Sequence, residues 1–344
     1  MMENYQNMSV GDLEARKAAL SSGRKFKKTI VEPEIEEPQN EKEPLTSFVA
    51  EEQANIDIFE NEIVLDAVYS KAHKRVIAIQ PQIDDFASVL PVEVLDDAKE
   101  KIKRKKYYID THNTPETTKQ RKLSTITEAL FTDGVSRYMW LGEGMESYVI
   151  SVYDDYFNNI DGVVRFTREK EEFEGFAVDL HCGLSEERLQ NKFNHLVEDI
   201  INGKIGQLEY LLDDNEEPFQ TISLPKFVIA IPAREAKELF ALWHKNDTDA
   251  LKAHPIKILI LEQIIAQANA LRYVATRAGH HDIEKLYDRI LSYINITAVN
   301  NRQDLTKALY GLIQNPIATR ISTMITKAEY VQTKKAAYYV TVRY

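Results

Sequence analysis

Apolar residues recur with helical spacing over much of the chain, and its middle third is broken into short apolar runs of strand length. The clearest stripe, Leu189, Phe193, Leu196, Val197, Ile200 and Ile201, predicts an amphipathic helix over Ser185–Asn202. Ser185 is placed to cap it, Glu186 and Glu187 follow in the first turn, and Asn202-Gly203 ends it. Just before it, Ile160–Phe166 and Phe173–His181 flank the charged stretch TREKEE, which reads as a strand hairpin. Ile205–Leu212 and Lys226–Ile231, bounded by Asp213-Asp214-Asn215 and by Pro232, predict two more strands. Upstream, Val92–Lys106 reads as a helix, and Leu123–Tyr138 as another, entered through Ser124 or Thr125 with Glu128 in an early turn. Residues 145–157 fit a helix by length and a strand by their β-branched and aromatic content, and both alternatives stay open.

This order predicts an α/β fold, a layered core with a mixed sheet. After Pro232 the periodicity turns helical, with helices expected over Arg234–Lys245, Pro255–Thr276, Asp282–Ile294, Gln303–Leu312 and Ala318–Gln332 and a strand-like end, KKAAYYVTVRY. The chain therefore divides into a leader (1–62), an α/β core (63–232) and a mainly helical subdomain (233–344).

Composition narrows the class. Of 344 residues, 44% are hydrophobic and 28% charged, which excludes wholesale disorder and collagen-like repeats. No apolar stretch approaches the roughly 18 residues of a membrane helix, and the first residues offer no signal peptide, so a cytoplasmic protein with no membrane partner is expected. The single cysteine, Cys182, excludes a disulfide framework and a Cys-based zinc site. The net charge of −11 is concentrated: residues 31–62 carry eleven acids against one base, Lys42, and include Pro33, Pro38 and Pro44. That segment reads as a disordered acidic leader or as a tail competing with a polyanionic ligand. Residues 99–122 hold nine bases against three acids, with Lys101, Lys103, Arg104, Lys105 and Lys106 followed by Tyr107 and Tyr108. Such a run suits contact with nucleic-acid phosphates and bases; it equally suits the solvated end of a helix.

Chemistry converges on the hairpin. Antiparallel pairing brings Asp161, at the start of one strand, and Asp179, near the end of the other, to the same end of the sheet, with His181 on the face of Asp179. Two carboxylates so placed offer hard oxygen ligands for Mg²⁺ or Mn²⁺. A structural Asp179–His181 pair is the competing reading. Cys182 points away from His181 and reads as inert packing; His280-His281 reads as a surface turn, and Trp243-His244 as packing. Glu128, Asp161 in IDGVV, Asp179 in FAVDLH, then a helix and a strand resemble the PD-(D/E)XK nuclease-like superfamily over residues 120–231. The resemblance implies an α-β-β-β-α-β core, Asp161 and Asp179 as metal ligands, Glu128 as an auxiliary acid, and hydrolysis of nucleic acid. His181 stands where the family carries its lysine, and Lys192, bordering the helical stripe, is the candidate replacement. On a helical wheel Glu128 falls opposite Leu123, Ile126 and Leu130, toward solvent, and Asp154-Asp155 is an alternative source of the acid or a polar turn. The expected function is a Mg²⁺-dependent phosphodiesterase. The alternatives are a catalytically silent nuclease fold that binds nucleic acid or protein, and a protein-interaction component that uses the leader or the helical part.

Overall fold

Strands too short to stand alone are stabilised here by packing against helices and against a second, two-stranded sheet. In chain order the elements are α1 (Glu62–Ile77), α2 (Val92–Thr111), α3 (Pro115–Ser136), β1 (Met145–Val149), α4 (Val152–Asn158), β2 (Gly162–Phe166), β3 (Gly175–Cys182) and α5 (Glu186–Ile201). They continue with β4 (Gly206–Leu208), β5 (Ile222–Leu224), β6 (Lys226–Ile231), α6 (Ala233–His244), α7 (Thr248–Ala253), α8 (Ile256–Ala278) and α9 (His281–Asn300). The computed structural model describes residues 62–166, 174–183, 186–212 and 221–300. The acidic leader, Ser185, the helices expected over Gln303–Leu312 and Ala318–Gln332, and the strand-like end lie outside them. Among the described residues no helix is long and apolar enough to cross a membrane.

The protein is mixed α/β. Its main sheet runs β1-β2-β3-β6, with β1–β2 and β2–β3 antiparallel and β3–β6 parallel. The parallel pair is joined through α5, the crossover that such a pair requires. Residues 145–157 contain both of the elements their composition suggested: β1 ends at Val149, and Ser151 then caps α4, its Oγ accepting from the Asp154 N–H at 3.1 Å. Two expectations need correction. Helix α3 begins at Pro115, ahead of Ser124: the Thr114 hydroxyl accepts from the Thr117 N–H at 3.2 Å, and the Thr117 hydroxyl accepts from the Thr114 N–H at 2.8 Å. Its first two turns carry polar residues, so apolar periodicity marks only its later part. The strand expected over Ile205–Leu212 is reduced to β4, which pairs with β5 in a separate two-stranded sheet.

Phe176, Val178 and Leu180 of β3 join one hydrophobic cluster with residues of α1, α3, α5, α6, α8 and α9. Ala177 of β3 and Val163 of β2 pack instead with Leu208 and Leu224 of the small sheet. Helix α3 is enclosed nearly all round from Ile126 to Val135. A Cβ on Gly134 would stand 2.3 Å from the Trp140 ring, so only glycine lets that buried indole lie on the helix. Asp133, also buried, accepts from Trp243 Nε1 at 3.0 Å and pairs with Arg75 at 3.3 Å, linking α3 to α6 and α1.

Strand β6 ends the main sheet, and α8 supplies what a further strand would have given. Gln267 accepts from the Val228 N–H at 3.0 Å and donates to its carbonyl at 2.7 Å. Gln263 does the same for Ala230, at 2.8 and 3.0 Å. Four residues of helix rise about 6 Å and two residues of strand about 6.6 Å, so glutamines at this spacing match alternate strand residues.

Candidate functional site

The β2–β3 register pairs Gly162 with Val178; one step further sets Asp161 across from Asp179. Asp161 donates its N–H to the Val178 carbonyl at 2.8 Å, and its Oδ2 accepts from the Leu180 N–H at 2.5 Å. The backbone on either side of Asp179 thus fixes Asp161. The Asp179 side chain is almost fully buried. Its Oδ2 accepts from Lys192 Nζ at 2.7 Å, and its Oδ1 lies 2.6 Å from His181 Nε2. The His181 contact is a close polar approach without hydrogen-bond alignment, which leaves that buried ring nitrogen unsatisfied among the described residues. Burial pushes the Asp179 carboxyl upward, but His181 and Lys192 outweigh it and hold its pKa below the usual range. Lys192 arrives from α5, one residue before Phe193 in the apolar stripe, and keeps about a third of its side chain exposed, 34%.

Two further acids share this field. Glu128 keeps some accessible surface, but its carboxyl is densely surrounded: burial pushes its pKa up to about 8, Asp155 adds to the rise, and Ser124, whose hydroxyl donates to it at 3.2 Å, opposes it. The wheel reading that sent Glu128 to solvent is corrected here. With α3 enclosed on most sides, the direction opposite one apolar stripe also meets protein. Asp155 is raised to about 6 by burial and by Asp179, with Lys105 opposing. Asp161 is raised well above its ordinary value by burial, then by Glu128, Asp179 and Asp155. Two adjacent positions of α4 take different roles. Asp154 is a structural clamp, accepting from Asn158 Nδ2 at 2.7 Å, Glu209 N at 2.9 Å, Tyr210 N at 3.0 Å and Ser151 Oγ at 2.9 Å. Asp155 joins the charged cluster.

Of the basic run, Lys105 lies on the packed side of α2 and acts on Asp155. Lys101 pairs with Asp97 at 2.7 Å and Arg104 with Glu100 at 3.0 Å, while Lys103 and Lys106 are exposed. Tyr107 is 72% exposed, and Tyr108 stacks on His112 with ring centroids 4.2 Å apart. The Tyr156 hydroxyl, raised by burial and by Asp155 and opposed by Arg121, marks a further wall of the cluster. Lys226, which sequence reading passed over as a strand residue, is lowered by burial while Asp179 and Asp199 pull it up. Its only signal was a cation opening an apolar strand. Burial pushes the Cys182 thiol up to about 12, with Thr127 opposing, so it is no nucleophile at neutral pH. His280 hydrogen-bonds the Ile201 carbonyl at 3.1 Å, and His281 pairs with Glu284 at 3.0 Å.

Among the described residues, no three His, Cys, Asp or Glu side chains are grouped closely enough to hold a metal ion by themselves. Mg²⁺ does not demand that many: it is commonly held by one or two carboxylates and keeps several waters. Hard carboxylate oxygens, with three of the four acids raised by burial and by one another, are a donor set a divalent cation would relieve. No family model, curated protein or solved structure matches the chain.

Proposed function

We propose that the chain is a Mg²⁺- or Mn²⁺-dependent phosphodiesterase of the PD-(D/E)XK kind, acting on nucleic acid. The observation that carries this reading is the Lys192–Asp179 contact: a lysine from the helix after β3 reaches the strand aspartate at 2.7 Å, beside Asp161, Asp155 and Glu128. The element order α3-β1-β2-β3-α5-β6, interrupted only by α4, β4 and β5, and the sheet order β1-β2-β3-β6 support it. Asp161 and Asp179 would hold the ion, with Asp155 and Glu128 flanking. Bound there, it would polarise a phosphodiester oxygen and lower the pKa of water. Lys192 supplies the permanent positive charge that meets negative charge developing on the phosphate, which an imidazole at position 181 does not guarantee. Glu128, with a pKa near 8, is placed to exchange a proton at its carboxyl oxygens. The exposed Lys103, Lys106 and Tyr107 of α2 would track the strand.

A second reading has its own support. Both Asp179 oxygens face side chains of the protein itself, Lys192 and His181, as they would in a fold that keeps the site but binds nucleic acid or protein without cutting. The deciding experiment incubates wild type, Asp179→Asn and Lys192→Met with single- and double-stranded DNA and RNA, in Mg²⁺, in Mn²⁺ and in EDTA. Cleavage by wild type alone, abolished by EDTA, is expected. Retention of nucleic acid without cleavage would select the second reading.

A further inference from the structure

On the Asp179 face of the sheet, toward the strand starts, lies a cavity of about 470 Å³ between the end of α4, the second half of α5, and the first residues of β4 and β6. Lys226 lines it. The parallel register sets Lys226 beside Ala177, two residues before Asp179 on the neighbouring strand and therefore on the same face. Lys226 Nζ makes one long contact, 3.5 Å, to the Asn158 carbonyl and forms no ion pair with any described carboxylate. A half-buried ammonium with no described carboxylate at ion-pair distance is costly: burial lowers its pKa even though Asp179 and Asp199 act on it from further off. An anion entering the cavity would remove that cost.

The remaining lining specifies more than an anion. Lys204 brings a second ammonium, exposed Phe157 offers an aromatic face at the rim, and Leu196 and Ile200 form an apolar wall. Asp199, also on the wall, would repel a bare phosphate but accept hydrogen bonds from a sugar hydroxyl or a base amino group. The volume falls in the range of small-molecule sites, roughly 300–1,000 Å³. We propose that this cavity binds one nucleotide of the substrate strand, beside the phosphodiester held at Asp161 and Asp179, with its phosphate on Lys226 and Lys204 and its base against Phe157. The assignment of the strand as substrate rests on the phosphodiesterase reading; the nucleotide site can be tested apart from it.

The test is calorimetric titration, in EDTA, of a nucleoside 5′-monophosphate and of inorganic phosphate into wild type, Asp179→Asn, Lys226→Met, Lys204→Glu and Phe157→Ala. The monophosphate should bind wild type, and Asp179→Asn at least as tightly because a negative charge acting on Lys226 is gone, with inorganic phosphate at least tenfold weaker on wild type. Lys226→Met should cost tenfold or more, Lys204→Glu about as much, and Phe157→Ala severalfold. Equal binding by wild type and the cavity variants, or none by wild type, would overturn the proposal. If Lys226→Met fails to fold, Lys204→Glu and Phe157→Ala, both at exposed positions, decide alone. The titration is blind to cleavage: a failed titration with intact cleavage leaves the phosphodiesterase standing, and a successful one without cleavage leaves the cavity standing.

Discussion

Lys192 donates to Asp179 across 2.7 Å from a helix that follows the strand, while His181, two residues from Asp179 on the strand itself, approaches the same carboxylate from its other oxygen. The two side chains are therefore not equivalent. Lys192→Met should lower single-turnover cleavage by about 10²–10³-fold, the range seen when a preorganised charge is removed. Lys192 is partly exposed but Asp179 is buried, so the variant should also lose thermal stability, and the cleavage comparison is made well below its melting temperature. His181→Asn, which removes the ring without removing the permanent charge, should cost less. Equal losses in the two variants would break the assignment of Lys192.

The raised carboxylates make a signed prediction for stability. A folded-state pKa above the unfolded value means that the native protein holds protons the unfolded chain has released, so stability falls as pH rises through that window. For Glu128 the window runs from its ordinary 4.5 to about 8. In EDTA, Glu128→Gln should match wild type near pH 4.5 and exceed it by about 4 kcal/mol at pH 8. Urea denaturation of both proteins at the two pH values measures this. Millimolar Mg²⁺ should narrow the gap at pH 8 by stabilising wild type.

Adjacent aspartates should respond with opposite signs. Asp154→Ala strips partners from the buried backbone at Glu209 and Tyr210 and should cost about 3 kcal/mol. Asp155→Asn relieves repulsion and should stabilise the protein at pH 8 while impairing cleavage. Melting temperatures of the two variants, measured side by side, settle the point.

How much of this was legible varies with the physics at each position. The β2–β3 hairpin, α5 and β6 were readable because each is a patterned apolar run bounded by turn residues. The roles of Asp154 and Asp155 were not, because neighbours on a helix point about 100° apart and nothing local says which direction is the core. Glu128 was misjudged because a helical wheel assumes one solvent side, and α3 has almost none in its later half. β4 and β5, three residues each, are too short to carry a period. Lys226 needed the parallel pairing with β3, a long-range contact, before its neighbours could be known.

The glutamine ladder can be tested directly. Gln267→Leu leaves the Val228 N–H and carbonyl buried and unpaired and should lower stability by about 2–4 kcal/mol. In urea the midpoint should fall while the slope stays unchanged. Gln263→Leu should behave likewise through Ala230.

That ladder also decides how the protein meets its neighbours. A border finished with side-chain amides offers no template to an incoming strand, so a second copy or a partly unfolded chain finds Val228 and Ala230 already taken. Any lengthening of the sheet between molecules is left to the β1 side, where the Ser136 hydroxyl already occupies the Ser147 N–H at 2.9 Å. Beside a site that stores destabilising charge, a helix keeps the sheet from becoming a seed for aggregation.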